Sequence, residues 1–343
     1  MKQKIVFSSF LILFINSFLC DKISAQYLDP VINPYLEYYS TNILSSISAG
    51  KGNTGVASSG DVSLIYLNPA TLNISKKVQV NAGYNLKSES RDKLSQNFYS
   101  FSLAGAYRLN KNFQAGFAYQ NDYSYKYTQS TYIPEDNALI QTFETHSIRI
   151  PVVFEYKWMR IGLNMNLTYF NGHAKYQHGN LWKFIPEIGT VVTPDKQFSI
   201  GASFIPGFTS DINSESNSSF YPAYNTYVKF PNRIKIGTEF RSSNNDTKFT
   251  LDYHYTNTST IEGFKDRNDI HFGFENLLDE NWAFRCGFFS NSKGYDNNIY
   301  FLTFGTSFKY INYSFNLAGL VSMAGNSGSG EYYVLNFGAG YEF

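Results

Sequence analysis

FTLDYHYT, residues 249–256, alternates without a break: Phe249, Leu251, Tyr253 and Tyr255 are apolar or aromatic, while Thr250, Asp252, His254 and Thr256 are polar. A period of two places successive side chains on opposite faces of a strand. One face of this strand suits an apolar medium and the other suits water. The same rhythm continues in both directions, predicting strands at 77–87, 96–108, 112–127, 143–158, 159–171, 182–194, 196–206, 228–240, 247–257, 268–278, 282–291, 299–309, 311–321 and 331–343. Tight connections at 109–111, 194–195, 279–281 and 310 alternate with longer ones at 128–142, 172–181, 207–227, 258–267 and 322–330. Alternating short turns and long polar loops, with an apolar outside and a polar inside, point to an all-β fold: a transmembrane antiparallel β-barrel of about fourteen strands over residues 76–343.

Composition agrees. Of 343 residues only 16% are charged and 18% are aromatic, with 31 Phe and 28 Tyr against 3 Trp. A soluble chain carries about 25% charge, so much of this surface faces something other than water. The net charge of +1 and the lack of a basic run exclude a nucleic-acid partner. Residues 1–25 read as a signal peptide, with Lys2 and Lys4 ahead of an apolar stretch from Ile5 to Leu19 and Ser24-Ala25 before the cleavage point. Once that segment is removed Cys286 is alone, so no intramolecular disulfide is expected. No later run is apolar enough for a membrane helix, and an exported chain that spans without helices spans as a closed barrel. The expected location is the outer membrane of a Gram-negative-type bacterium, as a monomer in contact with outer-membrane lipids.

The faces can be assigned from parity. Ile148, Ile150, Val152, Phe154 and Tyr156 form one outward row, and Ile161, Leu163, Met165, Leu167 and Tyr169 the next. The inward parity carries charges of both signs, among them Arg149, Glu155, Arg233, Lys235, Glu239, Asp252, Glu275 and Arg285. Charge excluded from lipid turns inward and pairs there. Arg149, Arg233, Lys235 and Arg285 are the candidate ligand-binding cations of the lumen. Phe208, Phe220, Tyr221 and Tyr224 in the longest loop are candidates for an external apolar site. His254 and His271 fall inward on neighbouring strands, a placement that polar lumens produce by chance, and no metal site or cofactor is expected. Neither a Gly-x-Ser-x-Gly elbow nor a phosphate loop occurs, so no enzyme activity is expected.

Residues 26–75 lack sustained alternation. They contain SISAGKGNTGVASSGDVSLIYLNPATL, residues 46–72, in which Gly52 and Gly55 permit tight turns and Asn68-Pro69 sets a bend. A barrel of this strand number encloses more space than its own side chains fill, and the segment is read as a hatch within it. The run Gly52, Gly55, Val56-Ala57, Asp61 and Asn68-Pro69-Ala70 resembles the N-terminal hatch of the FadL-type outer-membrane transporters. FPNRIKIGTEF followed by TLDYHY, containing Pro231, Gly237, Asp252 and Tyr253, resembles strands of the same family. The resemblance implies a fourteen-strand barrel with a gating hatch, and uptake of hydrophobic small molecules such as long-chain fatty acids. A more distant likeness to PorV-type barrels keeps open an alternative: a protein-binding barrel of a type IX-like secretion system, with partner proteins.

Overall fold

The computed structural model describes residues 45–91, 94–128, 139–174, 177–211, 213–216, 227–258, 265–292, 298–323 and 331–343. The expected signal peptide, residues 26–44, and Phe220, Tyr221 and Tyr224 lie outside the described residues. The strands are β1 (Val78–Arg91), β2 (Leu94–Arg108), β3 (Phe113–Thr128), β4 (Leu139–Tyr156), β5 (Met159–Ala174), β6 (Gln177–Val192), β7 (Phe198–Ile205), β8 (Phe208–Asp211), β9 (Asn213–Ser216), β10 (Tyr227–Phe230), β11 (Arg233–Arg241), β12 (Thr247–Thr256), β13 (Arg267–Leu277), β14 (Trp282–Ser292), β15 (Asn298–Tyr310), β16 (Tyr313–Met323) and β17 (Glu331–Glu342). Fourteen of them, β1–β7 and β11–β17, form a closed antiparallel barrel. The seam is β1 against β17, where the Val78 N–H donates to the Phe343 carbonyl at 2.8 Å and the Phe343 N–H donates back at 3.0 Å. Closure leaves no free edge around the wall, which is what lets a sheet stand in lipid.

The two faces separate as parity requires. Leu163 is 56% exposed and its neighbour Asn164 2%; Leu251 is 51% exposed and Asp252 1%. Trp158, Trp282, Tyr310 and Tyr313 are exposed near the turn end, where an aromatic girdle belongs. At that end the connections within the barrel are two to five residues long. The chain is an outer-membrane-type, multi-pass β-barrel. Leu163→Arg is expected to cost about 2–4 kcal/mol of barrel stability, the penalty for a cation facing mid-bilayer, whereas Leu163→Phe leaves it nearly unchanged. Urea titration of the folded fraction in lipid vesicles measures both.

The strands run further toward the loop end than the sequence suggested. The loop expected at 172–181 is strand on both sides, with His173 opposite His178 in the β5–β6 register. Likewise β1 extends to Arg91 and β4 begins at Leu139. Beyond the membrane both faces of a strand meet water, so alternation fades while hydrogen bonding continues. The single strand expected at 228–240 is two, β10 and β11, broken at Pro231-Asn232. Pro206-Gly207 breaks β7 from β8 at the same level, and the Gly207 N–H donates to Asn232 Oδ1 at 2.6 Å. Neither proline can donate to a ladder.

Beside that double break the described β6–β7 ladder ends. β6 pairs with β7 through residues 188–192 and with β9 through residues 177–180. Between them, among the described residues, 181–187 pair on one side only, with β5. About 20 Å of strand edge is left, at ~3.3 Å per residue. The extension beyond the break, β8 with β10, forms its own two-stranded sheet. It packs Phe230 and Phe208 on Phe170, Leu181, Ile185 and Ile205. The inner face is therefore not uniformly polar, contrary to expectation; a second apolar patch joins Phe289, Phe301, Leu320 and Val334 to Ala49.

Candidate functional site

The N-terminal segment runs around the inside of the wall. It begins with helix α1 (Ser46–Gly50), whose N-cap Ser45 accepts from the Ser48 N–H. Two 3-10 turns follow, Val62–Tyr66 capped by Asp61 and Pro69–Thr71 capped by Asn68. Asp61 accepts from the Ser63 N–H at 2.7 Å, and Asn68 Oδ1 from the Ala70 N–H at 3.0 Å. These caps satisfy donors that a short helix leaves unpaired.

Each bend is fastened to a different strand. The Gly52 N–H donates to Thr303 Oγ1 on β15 at 2.8 Å, and its carbonyl accepts from His271 Nδ1 on β13 at 2.9 Å. The Gly55 and Val56 N–H groups both donate to Asp252 Oδ2 on β12, at 2.7 and 3.0 Å. Asn68 Nδ2 spans the gap between the segment and β6, donating to Val56 O at 2.7 Å and Thr190 O at 3.1 Å. Lys51 is buried beside Glu239 on β11 at 3.8 Å. On the opposite side apolar packing is added to hydrogen bonds: Val62, Ile65, Tyr66, Leu72 and Ile74 pack on Ala104, Ala106, Ala118 and Val153 of β2–β4, and the Ile74 N–H donates to Gln114 Oε1 at 3.0 Å. Burial holds the Tyr66 phenol well above its ordinary pKa, against the opposing pull of Arg149.

The wall makes room for this backbone with glycine. A Cβ on Gly189 would lie 1.9 Å from Asn68 Oδ1, on Gly201 2.2 Å from Val56 O, on Gly162 2.5 Å from Ala70 N, and on Gly287 2.3 Å from Gly52 N. Within the segment Gly52 has φ +71 and Gly55 φ +144, conformations that a side chain disfavours. The segment glycines stand out in the sequence, but those of the wall do not. Their signal was inward parity: Gly162 faces Gly189 across β5–β6, Gly201 faces Gly237 across β7–β11, and Gly273 faces Gly287 across β13–β14.

Three of the four candidate cations converge above this segment. Arg149, Arg233 and Lys235 line one small cavity with Glu187, Tyr66, Ile185 and Ile205. Lys235 Nζ donates to the carbonyls of Leu67 at 3.1 Å and Tyr66 at 3.4 Å. The Arg149 guanidinium lies 5.2 Å from the Tyr66 ring centre and 3.8 Å from Glu187 Oε2. Glu187 is also held by Ser203 Oγ at 2.8 Å and Asn164 Nδ2 at 3.2 Å. Arg285 is elsewhere, on β14, donating to Glu275 at 2.6 Å. Phe208 packs against the apolar cluster to which the cavity residues Ile185 and Ile205 belong, its ring 4.4 Å from that of Phe230, which is itself 5.1 Å from Phe170. His254 and His271 lie with ring centres 4.0 Å apart and planes tilted by 35°, and among the described residues no group of His, Cys, Asp and Glu is arranged to hold a metal.

No protein-family model matches the chain, and no curated protein matches it in sequence. Solved structures do resemble it. A Pseudomonas aeruginosa FadL homologue superimposes with a TM-score of 0.65 at 12% identity, over 89% of this chain and 99% of that one. The Ralstonia pickettii toluene transporter TbuX gives 0.68 at 13% identity, over 87% and 98%. The Pseudomonas putida toluene transporter TodX gives 0.65 at 10% identity, over 87% and 97%. A closed fourteen-strand wall, a segment threaded inside it and a likeness spanning nearly the whole of each chain give this protein the fold of the FadL-type outer-membrane channels.

Proposed function

We propose that the barrel takes up hydrophobic small molecules across the outer membrane, and that its ligand is an amphiphile with a carboxylate head, a long-chain fatty acid being the simplest. One observation carries this reading: an apolar cluster, Phe170, Leu181, Ile185, Ile205, Phe208 and Phe230, shares Ile185 and Ile205 with the cavity lined by Arg149, Arg233 and Lys235. Each buried methylene contributes about 0.8 kcal/mol, so the cluster suits a chain and the cations suit its head. An uncharged aromatic hydrocarbon has no use for the cations. The cavity now encloses about 30 Å³, room for a water or two, so a ligand enters by displacing Phe208 and Phe230. The one-sided stretch 181–187 lies beside the same cluster and provides a sideways route into the bilayer. Residues 45–75 act as the hatch below, joined to the cavity through Lys235.

Binding of a long-chain fatty acid, its methyl ester and toluene to the purified barrel tests this. A hydrogen bond to a charged group is worth about 1.5–3 kcal/mol. Arg149→Gln with Lys235→Gln is therefore expected to weaken the acid by at least about tenfold and to leave the ester unchanged. Equal loss for acid and ester, or toluene binding more tightly than the acid, rejects the carboxylate amphiphile.

A further inference from the structure

A second polar cavity lies at the turn end, below the hatch. It encloses about 660 Å³ and is lined by Ser59 and Asn73 of the N-terminal segment and by wall and turn residues that include Glu155, Arg160, Lys196 and Arg241. The strip Asn68-Pro69-Ala70, seated on Gly162 and Gly189, divides it from the upper pocket on the same two strands. Along β5 the inward side chains read upward from Arg160 past Gly162 to Asn164 and Asn166.

The lining is basic. Lys157, Arg160, Lys196 and Arg241 face a single lining carboxylate, Glu155. Arg241 is taken up by Glu239 at 2.7 Å. Arg160 is the unusual member: it is 5% exposed, and its Nη1 has no hydrogen-bond partner among the described residues. Glu155 stands opposite it in the β4–β5 register. A buried guanidinium donor left without an acceptor is unfavourable, and here it borders a cavity open to solutes. Guanidinium donors match the oxygens of phosphate and carboxylate in pairs. Lys196, on an exposed turn at the rim, adds a second charge.

We propose that this cavity binds an oxyanion group, a phosphate or carboxylate, on Arg160 with Lys196 closing over it. Two sources present that chemistry: a free anion in the compartment below the membrane, and the headgroup of a bilayer phospholipid reaching in at the turn end. The site does not depend on which compound the upper pocket takes.

The test uses the full chain in a non-ionic detergent at fixed ionic strength. Thermal unfolding is followed as sodium phosphate replaces sodium chloride, and the dependence of Tm on phosphate yields a dissociation constant. Arg160→Gln and Lys196→Gln are each expected to weaken it about tenfold or more, while Lys309→Gln, a turn-end cation outside the cavity, leaves it unchanged. Native mass spectrometry with added phosphatidylglycerol separates the sources. Adducts held by the native chain and lost in Lys196→Gln identify a headgroup; a phosphate response without adducts identifies the free anion. If Arg160→Gln does not fold, Lys196→Gln decides alone. Equal phosphate responses in the native chain and in the variants, with unaltered lipid adducts, overturn the site.

Discussion

Deleting residues 50–70 is expected to turn a closed barrel into a conducting one. The wall keeps every strand pair, including the β1–β17 seam, so the variant folds and inserts. What it loses is backbone that bridges from β15 and β13 to β6 across the lumen. The wall left behind is lined at that level by glycines, which have no side chains to close the opening. In planar bilayers the native chain should show little steady current, and the deletion should show resolved unit steps with each insertion. Binding of a labelled fatty acid should fall with it, because Lys235 loses the carbonyls of Tyr66 and Leu67 that hold it in place. Unchanged conductance would remove residues 50–70 from any gating role and leave the uptake proposal without its hatch.

A single wall residue should produce much of the same leak. Gly189→Val places carbon 1.9 Å from Asn68 Oδ1 and 2.9 Å from Pro69 Cδ, far inside contact distance, against an amide held by two hydrogen bonds and a proline ring that cannot rotate away. Overpacking of this kind costs about 1–3 kcal/mol. Displacing Asn68 also breaks its bonds to Val56 and Thr190, each worth about 0.5–1.5 kcal/mol. The strand itself tolerates valine, so the barrel remains assembled while the segment is forced off its seat. Gly319→Ala is the matched control: its Cβ would meet only Leu335 Cδ2, at 3.9 Å, and should change nothing. Current through the first variant and not the second shows that the glycines form a seat for the hatch; equal behaviour shows that they do not.

Much of the wall was legible because lipid and water impose a strict period of two. Leu251 and Asp252 differ in exposure as their parity requires, and the same rule placed Arg149, Arg233 and Lys235 inward. Parity says nothing about which inward residues meet across the lumen, and for that reason Arg285 could not be told apart from the three that share a cavity. Glycine was hard to read for a different reason: it has no side chain to mark an alternation, so the recesses at Gly162, Gly189 and Gly201 showed only as inward parity, which does not tell a recess from an ordinary wall position. In LWKFIPEI, residues 181–188, the apolar inner residues Leu181 and Ile185 are interleaved with outward Trp182 and Phe184. The run therefore loses its polar beat where the pocket lies. Asn68-Pro69 was readable because its chemistry is local, two residues capping their own turn. The bond from Asp252 to Gly55 and Val56 joins positions nearly two hundred apart and was not.

The proposed sideways route beside residues 181–187, which among the described residues pair only with β5, has a consequence for energetics. A passage that ends in the bilayer needs neither a carrier waiting below nor an energy source, because the membrane itself is the sink. Such a protein acts as a partition catalyst: it speeds the approach to equilibrium between outside water and membrane without shifting that equilibrium. Accumulation then follows the solute's own preference for hydrocarbon, which rises about fourfold with each added methylene. On that route longer chains would load the membrane more heavily, and when the outside supply falls they would drain back the same way.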